Sequence, residues 1–299
     1  MAVGLIYSDR FLEHRTSIGH PERPERLRAI VECLREGGQW DRLIPLEFAA
    51  VVPEIAARLH SVEYINRARH ACEVGADHLD SMDTPICPES FDLALLAVGG
   101  VVAAVNAVMA GEVDAAFCAT RPPGHHAEKQ SAMGFCLFGN VALAADHLIR
   151  DHGLERVAIV DFDVHHGNGT QHLLEDRGDI LFASAHEHPK FQFPGTGYAH
   201  ETGTGDGAGK TVNVPLLPGT GDDQAREAFE QTILPALDAF EPQFVLLSAG
   251  FDAHFKDPLG GLEWTNDGFV RIAQQLVDVA KRHAEGRIVS VLEGGYDLD

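Results

Sequence analysis

Short apolar runs alternate along this chain with longer amphipathic stretches. Val3–Tyr7 and Asp114–Ala119 predict short strands. Val157–Asp161 (VAIVD), Ile180–Ala185 (ILFASA), Phe244–Ala249 (FVLLSA) and Arg287–Glu293 (RIVSVLE) are near-continuous apolar runs. Such runs suit parallel strands covered on both faces, because a half-exposed strand would alternate apolar with polar residues. Pro24–Glu36 predicts a helix, with proline near its start and Gly37-Gly38 beyond its end. Pro53–His60, Val62–Val74, Pro88–Ala110 and Asn140–His152 carry helical patterns, as do the regions around Asp223–Phe240 and Thr265–Ala284. Strand and helix alternate as in an open, mostly parallel α/β sheet with helices on both faces. No internal repeat, low-complexity tract or linker-like shift interrupts the pattern, so residues 1–299 are expected to form one domain.

The polar residues of interest lie in the gaps. TRPPGHHAEKQSAMGFC follows Ala119, DFDVHHGNGT follows Val160 and HEHPKFQFPGTGY follows Ala185. GFDAHFKDPLGG follows Ala249, and EGGYD follows Leu292. Each loop rich in His, Asp or Gly leaves the carboxyl end of a predicted strand. In open α/β sheets that edge is where ligands bind.

Composition narrows the classes. With 299 residues the chain can bury a large α/β core. No apolar run is read as long enough to cross a bilayer, and MAVGLIYSDRF lacks the basic-then-apolar form of a secretory signal. The five cysteines (Cys33, Cys72, Cys87, Cys118, Cys136) are scattered and lack CxxC spacing. They read as reduced thiols of a cytoplasmic protein. The formal charge of −22 argues against a direct nucleic-acid partner, which wants a basic footprint. No membrane partner is expected, and a homo-oligomer is left open.

Asp161-Phe162-Asp163-Val164-His165 alternates polar and apolar residues. In an extended strand end, residues two apart point the same way, so Asp161, Asp163 and His165 can converge. Carboxylate and imidazole suit a borderline metal such as zinc or ferrous iron. Ser248-Ala249-Gly250-Phe251-Asp252 brings another carboxylate past a second strand. Asp163, His165 and Asp252 would make three protein ligands and leave a fourth position for water. Arg121-Pro122-Pro123-Gly124-His125-His126 presents adjacent imidazoles, natural general bases beside such a water. Gly294-Gly295-Tyr296 places a phenol at a strand end, where it can donate to an oxyanion. Taken singly, each has a plainer reading: a helix cap, surface histidines after a turn, an ordinary loop.

Jointly the motifs are specific. RPPGHHA, GFC, DFDVHHGNGT, FPGTG, SAGFDAH, DPLGG and LEGGY occur in the order found in the zinc-dependent histone deacetylase superfamily. The chain resembles its class II-like members, including bacterial histone deacetylase-like amidohydrolases and acetylpolyamine amidohydrolases. HPERPERL at His20–Leu27 is similar to the family's N-terminal segment, so the likeness runs from about Tyr7 to Tyr296.

The resemblance implies the single-domain arginase/deacetylase fold, with the active site at the carboxyl ends of the strands. It implies one catalytic zinc held by Asp163, His165 and Asp252, the set that spacing already favours. It also implies a structural potassium ion near Asp161, Asp163, His165, Ser184 and Ala185. His126 would be the general base and acid, with His125 its electrostatic partner hydrogen-bonded to Asp161. Asn168 stands where class I members carry Asp. Tyr296, present rather than His, would donate to the tetrahedral oxyanion formed during hydrolysis of an N-acetyl amide to amine and acetate.

Gly134, Phe135 and Phe193 would wall a narrow tunnel for the acyl-amine stem, and Asp83 would sit on its rim. Leu259 stands where animal polyamine deacetylases carry Glu, which leans toward acetylated lysine peptides or proteins over small N-acyl amines. The alternative is an acetylpolyamine amidohydrolase, and a more remote one is a non-catalytic acyl-lysine binder. An arginase-like ureohydrolase would need further Asp ligands, but Gly167 stands in the DxHxD pattern and His254 after SAGFD. The chain stops three residues after Tyr296, where family members continue. That reads as a shortened C-terminus, with Tyr296 on a frayed end.

Overall fold

The structure, a computed structural model, describes residues 2–298. Eight strands form one sheet: β1 (Val3–Ile6), β2 (Leu43–Pro45), β3 (Ala115–Cys118), β4 (Val157–Asp161), β5 (Ile180–Glu187), β6 (Thr211–Leu216), β7 (Phe244–Ala249) and β8 (Ile288–Leu292). Their spatial order is β2-β1-β3-β8-β7-β4-β5-β6, and every neighbouring pair is parallel. The helices between them are α1 (Glu25–Glu36), α2 (Pro53–Ala56), α3 (Val62–Glu73), α4 (Ser90–Met109) and α5 (Asn140–His152). They are followed by α6 (Asn168–Leu174), α7 (Asp222–Ala228), α8 (Leu234–Phe240) and α9 (Asn266–His283).

The continuous apolar runs have a simple cause. In β4, Val157 and Ile159 face one core with Val101, Val105, Val141 and Leu148 of α4 and α5. Ala158 and Val160 face the other, with Phe229, Trp264 and Leu276 on the α7–α9 side. Successive side chains leave opposite faces of a strand, and both faces are covered, so neither position can be polar.

Three elements escape the sequence pattern. β2 is only three residues long and β6 (TVNVPL) contains a proline and a buried Asn; both are edge strands, half-solvated and short of apolar residues. α6 begins inside a Gly-rich loop, at Asn168. Two boundaries also differ. The helix expected over Pro53–His60 is one turn, Pro53–Ala56. The helix expected near Asp223–Phe240 is interrupted by a π-helical turn, Phe229–Ile233, directly before Leu234-Pro235. Pro235 has no N–H to donate four residues back, and the ladder shifts register there.

The reading that no run is long enough for a bilayer needs correction. Ser90–Met109 is long and apolar enough by length and composition, the one such helix among the described residues. Its apolarity is that of a central core helix: 78% of its apolar window is buried. Gly99 and Gly100 let it lie directly on the Ala49 carbonyl and the Ile6 side chain, where a Cβ would overlap them.

Candidate active site

β4, β7 and β8 lie side by side in the sheet and end together, with Asp161 opposite Ser248 and Ala249 opposite Leu292. That register brings the DFDVH, GFD and EGGY loops to one place. The strand stops at Asp161, so the expected extended DxDxH arm does not form. Instead each carboxylate folds onto the backbone two residues ahead. The Asp163 N–H donates to Asp161 Oδ1 at 3.1 Å, and the His165 N–H to Asp163 Oδ1 at 2.9 Å. Such local turns are a habit of aspartate, and they compete with strand pairing.

Asp163, His165 and Asp252 converge nonetheless. One ligand atom from each lies within 4.8 Å of the others, and all three residues are buried. His165 Nδ1 is 3.0 Å from Asp163 Oδ1 and 3.2 Å from Asp252 Oδ2. The Val164 N–H fixes Asp252 Oδ1 at 2.8 Å, and the Gly294 N–H fixes Asp163 Oδ2 at 2.7 Å. A Cβ on Gly250 or Gly294 would fall on these carboxylates.

The electrostatics favour positive charge at this point. Burial, with Asp163 beside it, pushes the Asp252 carboxyl up to about 7, while the neighbouring imidazoles hold Asp163 low despite its burial. Burial works against a charged His165, but hydrogen bonds to both carboxylates outweigh it and raise the ring to about 10. Two buried carboxylates around one imidazole nitrogen demand positive charge, and the O,N,O donor set fits a zinc-type ion.

The histidine pair splits by environment. His125 Nδ1 sits 3.0 Å from Asp161 Oδ2, whereas His126 Nδ1 sits 2.7 Å from the amide oxygen of Asn168. Burial lowers both, but Asp163, Asp161 and Glu293 more than reverse this for His125 and raise it well above the usual value. His126 has no such surplus; burial, then His125 and His165, push it well below. The surroundings thus favour the charged form of one ring and the neutral form of its neighbour.

Tyr296 is only 8% exposed, which overturns the expectation of a frayed end. Its N–H donates to Asp257 Oδ2 at 2.6 Å, and the Arg26 guanidinium lies 4.7 Å over its ring. Arg26 Nε also donates to the Gly295 carbonyl at 2.6 Å. Burial first, then Asp252 and Asp163, raise the phenol well above its usual value against the opposing Arg26, so it stays protonated and able to donate.

A cavity of about 220 Å³ opens above the floor. His126, His165 and Tyr296 line its base, and Phe135, Phe193 and Leu259 its walls, with Gly134, Asp83 and Gln192 completing it. Phe193 packs edge-on against His126 at 5.1 Å, and Phe135 against Tyr296 at 5.8 Å. Gly134 and Phe135 are both left-handed, with φ of 54° and 69°. A Cβ on Gly134 would strike the His126 ring. The non-glycine Phe135 costs on the order of 1–2 kcal/mol in that conformation. Polar side chains hold it there: the Gly134 N–H donates to Asp83 Oδ2 and the Phe135 N–H to Thr84 Oγ1, both at 3.3 Å.

Ser184 and Ala185, read with Asp161, Asp163 and His165 as a monovalent-cation set, lie on β5, with Ser184 opposite Asp161. All five are buried. Ser184 Oγ is engaged with His186 Nδ1 at 2.7 Å.

Several buried or half-buried groups were invisible to sequence reading. Glu293 accepts from the Gly124 and His125 N–H groups at 2.7 and 3.1 Å, and burial lifts its carboxyl to about 7. Glu22 pairs with Arg121 and Arg26 beneath the site. Asp257 joins the Tyr296 loop to Leu259, whose N–H it also accepts at 3.0 Å. Glu187 and Gln192 tie Gly261 and the Leu259 carbonyl to the Phe193 loop. A polar residue within the same loops was the only available signal.

The chain is similar to known proteins along nearly its whole length. The model of the histone deacetylase domain matches residues 20–299. The chain is 40% identical to a probable deacetylase of Archaeoglobus fulgidus, over 100% of this chain and 82% of that protein. It is 42% identical to a histone deacetylase-like amidohydrolase of Pseudomonas aeruginosa, over 93% of this chain and 73% of the other. It is 38% identical to the polyamine deacetylase HDAC10 of Homo sapiens, over 100% of this chain and 46% of that protein. The crystal structure of the HDA15 HD domain superimposes with a TM-score of 0.94 at 37% identity, covering 99% of this chain and 85% of that one.

Proposed function

The chain belongs to the histone deacetylase family, and from that premise we propose that it is a zinc-dependent amidohydrolase cleaving N-acetyl-lysine-type amides to free amine and acetate. The observation that carries this reading is convergence at one cavity base. A buried Asp-His-Asp cluster, two adjacent imidazoles with different partners, and a buried phenol meet there.

Asp163, His165 and Asp252 would hold the ion, which when bound polarises an acyl carbonyl and acidifies water. The remaining steps belong to the chain's own side chains. His126, neutral with Nδ1 engaged by Asn168, offers Nε2 to take a proton from the attacking water. His125, held cationic by Asp161, supplies positive charge as the oxyanion develops. The Tyr296 hydroxyl donates to that oxyanion. Protonated His126 then returns its proton to the leaving amine. Phe135, Phe193 and Gly134 exclude water along an alkyl stem, and the cavity is smaller than those that take drug-sized ligands, as a linear substrate requires. Asp83 would orient the substrate at the rim. Asp161, Asp163, His165, Ser184 and Ala185 would hold a potassium ion, a reading supported by the pairing of Asp161 with Ser184.

A small N-acyl amine is the second reading, favoured by the human polyamine deacetylase among the relatives. Leu259, apolar at the cavity wall, favours acetyl-lysine. Zinc-loaded protein should be tested on acetyl-lysine peptides, longer acyl-lysines and acetylputrescine. The peptide reading expects the highest kcat/KM on acetyl-lysine; a strong preference for acetylputrescine transfers the assignment to small amines.

A further inference from the structure

His126 can act as a base only if the proton of its neutral ring sits on Nδ1 and leaves Nε2 free. Its Nδ1 partner is an amide, and an amide has two faces. If the Asn168 oxygen faces the ring, Nδ1 must carry the proton. If the NH2 group faces it, the proton is forced onto Nε2 and the base is lost. The orientation of one amide therefore sets the tautomer, and something must set the amide.

The structure supplies that group. The Asn168 Nδ2 donates to Glu128 Oε1 and lies 3.4 Å from Met133 Sδ. A carboxylate and a thioether accept hydrogen bonds and donate none. Turning the amide would set its oxygen against the carboxylate. Glu128 is itself fixed: its carbonyl accepts from His60 Nδ1 at 2.8 Å, and its Oε1 also accepts from His172 Nδ1 at 2.8 Å. The His60 ring is buried, and its Nε2 accepts from the Gly139 N–H at 3.0 Å. Asn168 opens α6, which is docked on the histidine loop through the Thr170 N–H to the His125 carbonyl at 3.1 Å. Gly169 permits that approach, since a Cβ there would overlap the Ala127 carbonyl.

We infer that Glu128 is a positioning residue of the reaction: its carboxylate locks the Asn168 amide so that the amide oxygen faces His126, and thereby fixes His126 in the Nδ1–H tautomer that serves as base. The inference rests on the reading of His126 as the base. A carboxylate directly on His126 would need no such lock, because both its oxygens accept. With asparagine in that place the negative charge stands one residue further out and acts through the amide.

The test reverses the lock. Glu128→Lys presents only donors, so the amide should turn and the ring should move to Nε2–H. In zinc-loaded protein carrying 15N-histidine, the His126 signal, assigned by its loss in His126→Asn, should report Nδ1–H in the wild type and Nε2–H in the variant. The expected loss in kcat is about 10- to 100-fold, with KM within about threefold. Glu128→Gln still accepts and should lose only about two- to threefold. Adding Asn168→Asp to Glu128→Lys should restore the Nδ1–H signal and most of kcat, because a carboxylate has no wrong face. Should Glu128→Lys not fold, Glu128→Leu removes the acceptor and should show both tautomers. An unchanged Nδ1–H signal in both replacements, or a fall in kcat without a change of tautomer, overturns the inference. If no acylated amine is turned over at all, the proposed activity fails, while the tautomer signals still decide the role of Glu128.

Discussion

At the cavity floor, carboxylates are held by the backbone; at its mouth, the backbone is held by side chains. Asp161, Asp163 and Asp252 each accept from N–H groups of the strand-end loops. Gly134, Phe135 and Leu259, by contrast, donate their N–H groups to Asp83, Thr84 and Asp257. The floor thus borrows the rigidity of β4, β7 and β8, and its chemistry resides in the very atoms that are pinned. The mouth rides on loops far apart in sequence, and its aromatic rings are placed second-hand. Substitution at the floor should remove chemistry outright, whereas substitution at the mouth should misplace it by degrees.

The sharpest way to break this contrast is Asp252→Ala. It should abolish bound metal by mass spectrometry and lower turnover by at least about 1000-fold; one zinc per chain in the variant would show that the ligand set is wrong. Next comes Tyr296→Phe, where kcat should fall about 100- to 1000-fold with hydroxamate affinity little changed. Equal activity would remove Tyr296 from the mechanism. Asp257→Ala sharpens the comparison, since it touches no substrate and only frees the Tyr296 and Leu259 loops. It should cost about tenfold in kcat and raise KM, with metal content intact; loss of metal would place Asp257 with the floor.

The smallest effect lies beneath the site. His14, buried against Ser90 and Glu22, is pushed down to about 4 by burial, with Glu22 opposing. A folded pKa below the unfolded 6.5 means that the unfolded chain takes up the proton first. The stability His14 contributes is full above about pH 6.5 and falls by about 1.4 kcal/mol per pH unit toward about pH 4. Urea unfolding at pH 7 and pH 5 should show His14→Asn losing less stability than the wild type over that interval; equal losses would mean that His14 is already charged in the folded protein.

The same contrast explains what was legible in the sequence. The strand runs were plain because both sheet faces are buried, and the convergence of Asp163, His165 and Asp252 was legible because these residues follow those runs directly. β2 and β6 escaped notice because edge strands need little apolar surface. The anchors at the mouth were hidden for a different reason. Asp257 and Asp83 act on backbone N–H groups, which every residue has, so no partner residue marks them. Glu22 and Arg121 are 99 positions apart, and only the fold reveals their pairing. Tyr296 stands near the chain end, yet its burial is decided by Arg26 and Asp257, which its sequence position does not disclose.

The strand order carries a kinetic consequence. Among the described residues β8 follows the other seven strands in sequence, yet it lies between β3 and β7 in the middle of the sheet. Until it is in place, β2-β1-β3 and β7-β4-β5-β6 are two fragments, each showing an unpaired hydrogen-bonding edge. As the chain leaves the ribosome, those edges stay open until β8 itself has emerged. Such long-range closure is slow, and the waiting fragments are prone to pair with other chains. The strand that delivers the tyrosine loop is also the one that seals the molecule, so catalytic competence and resistance to aggregation should arise in the same folding step.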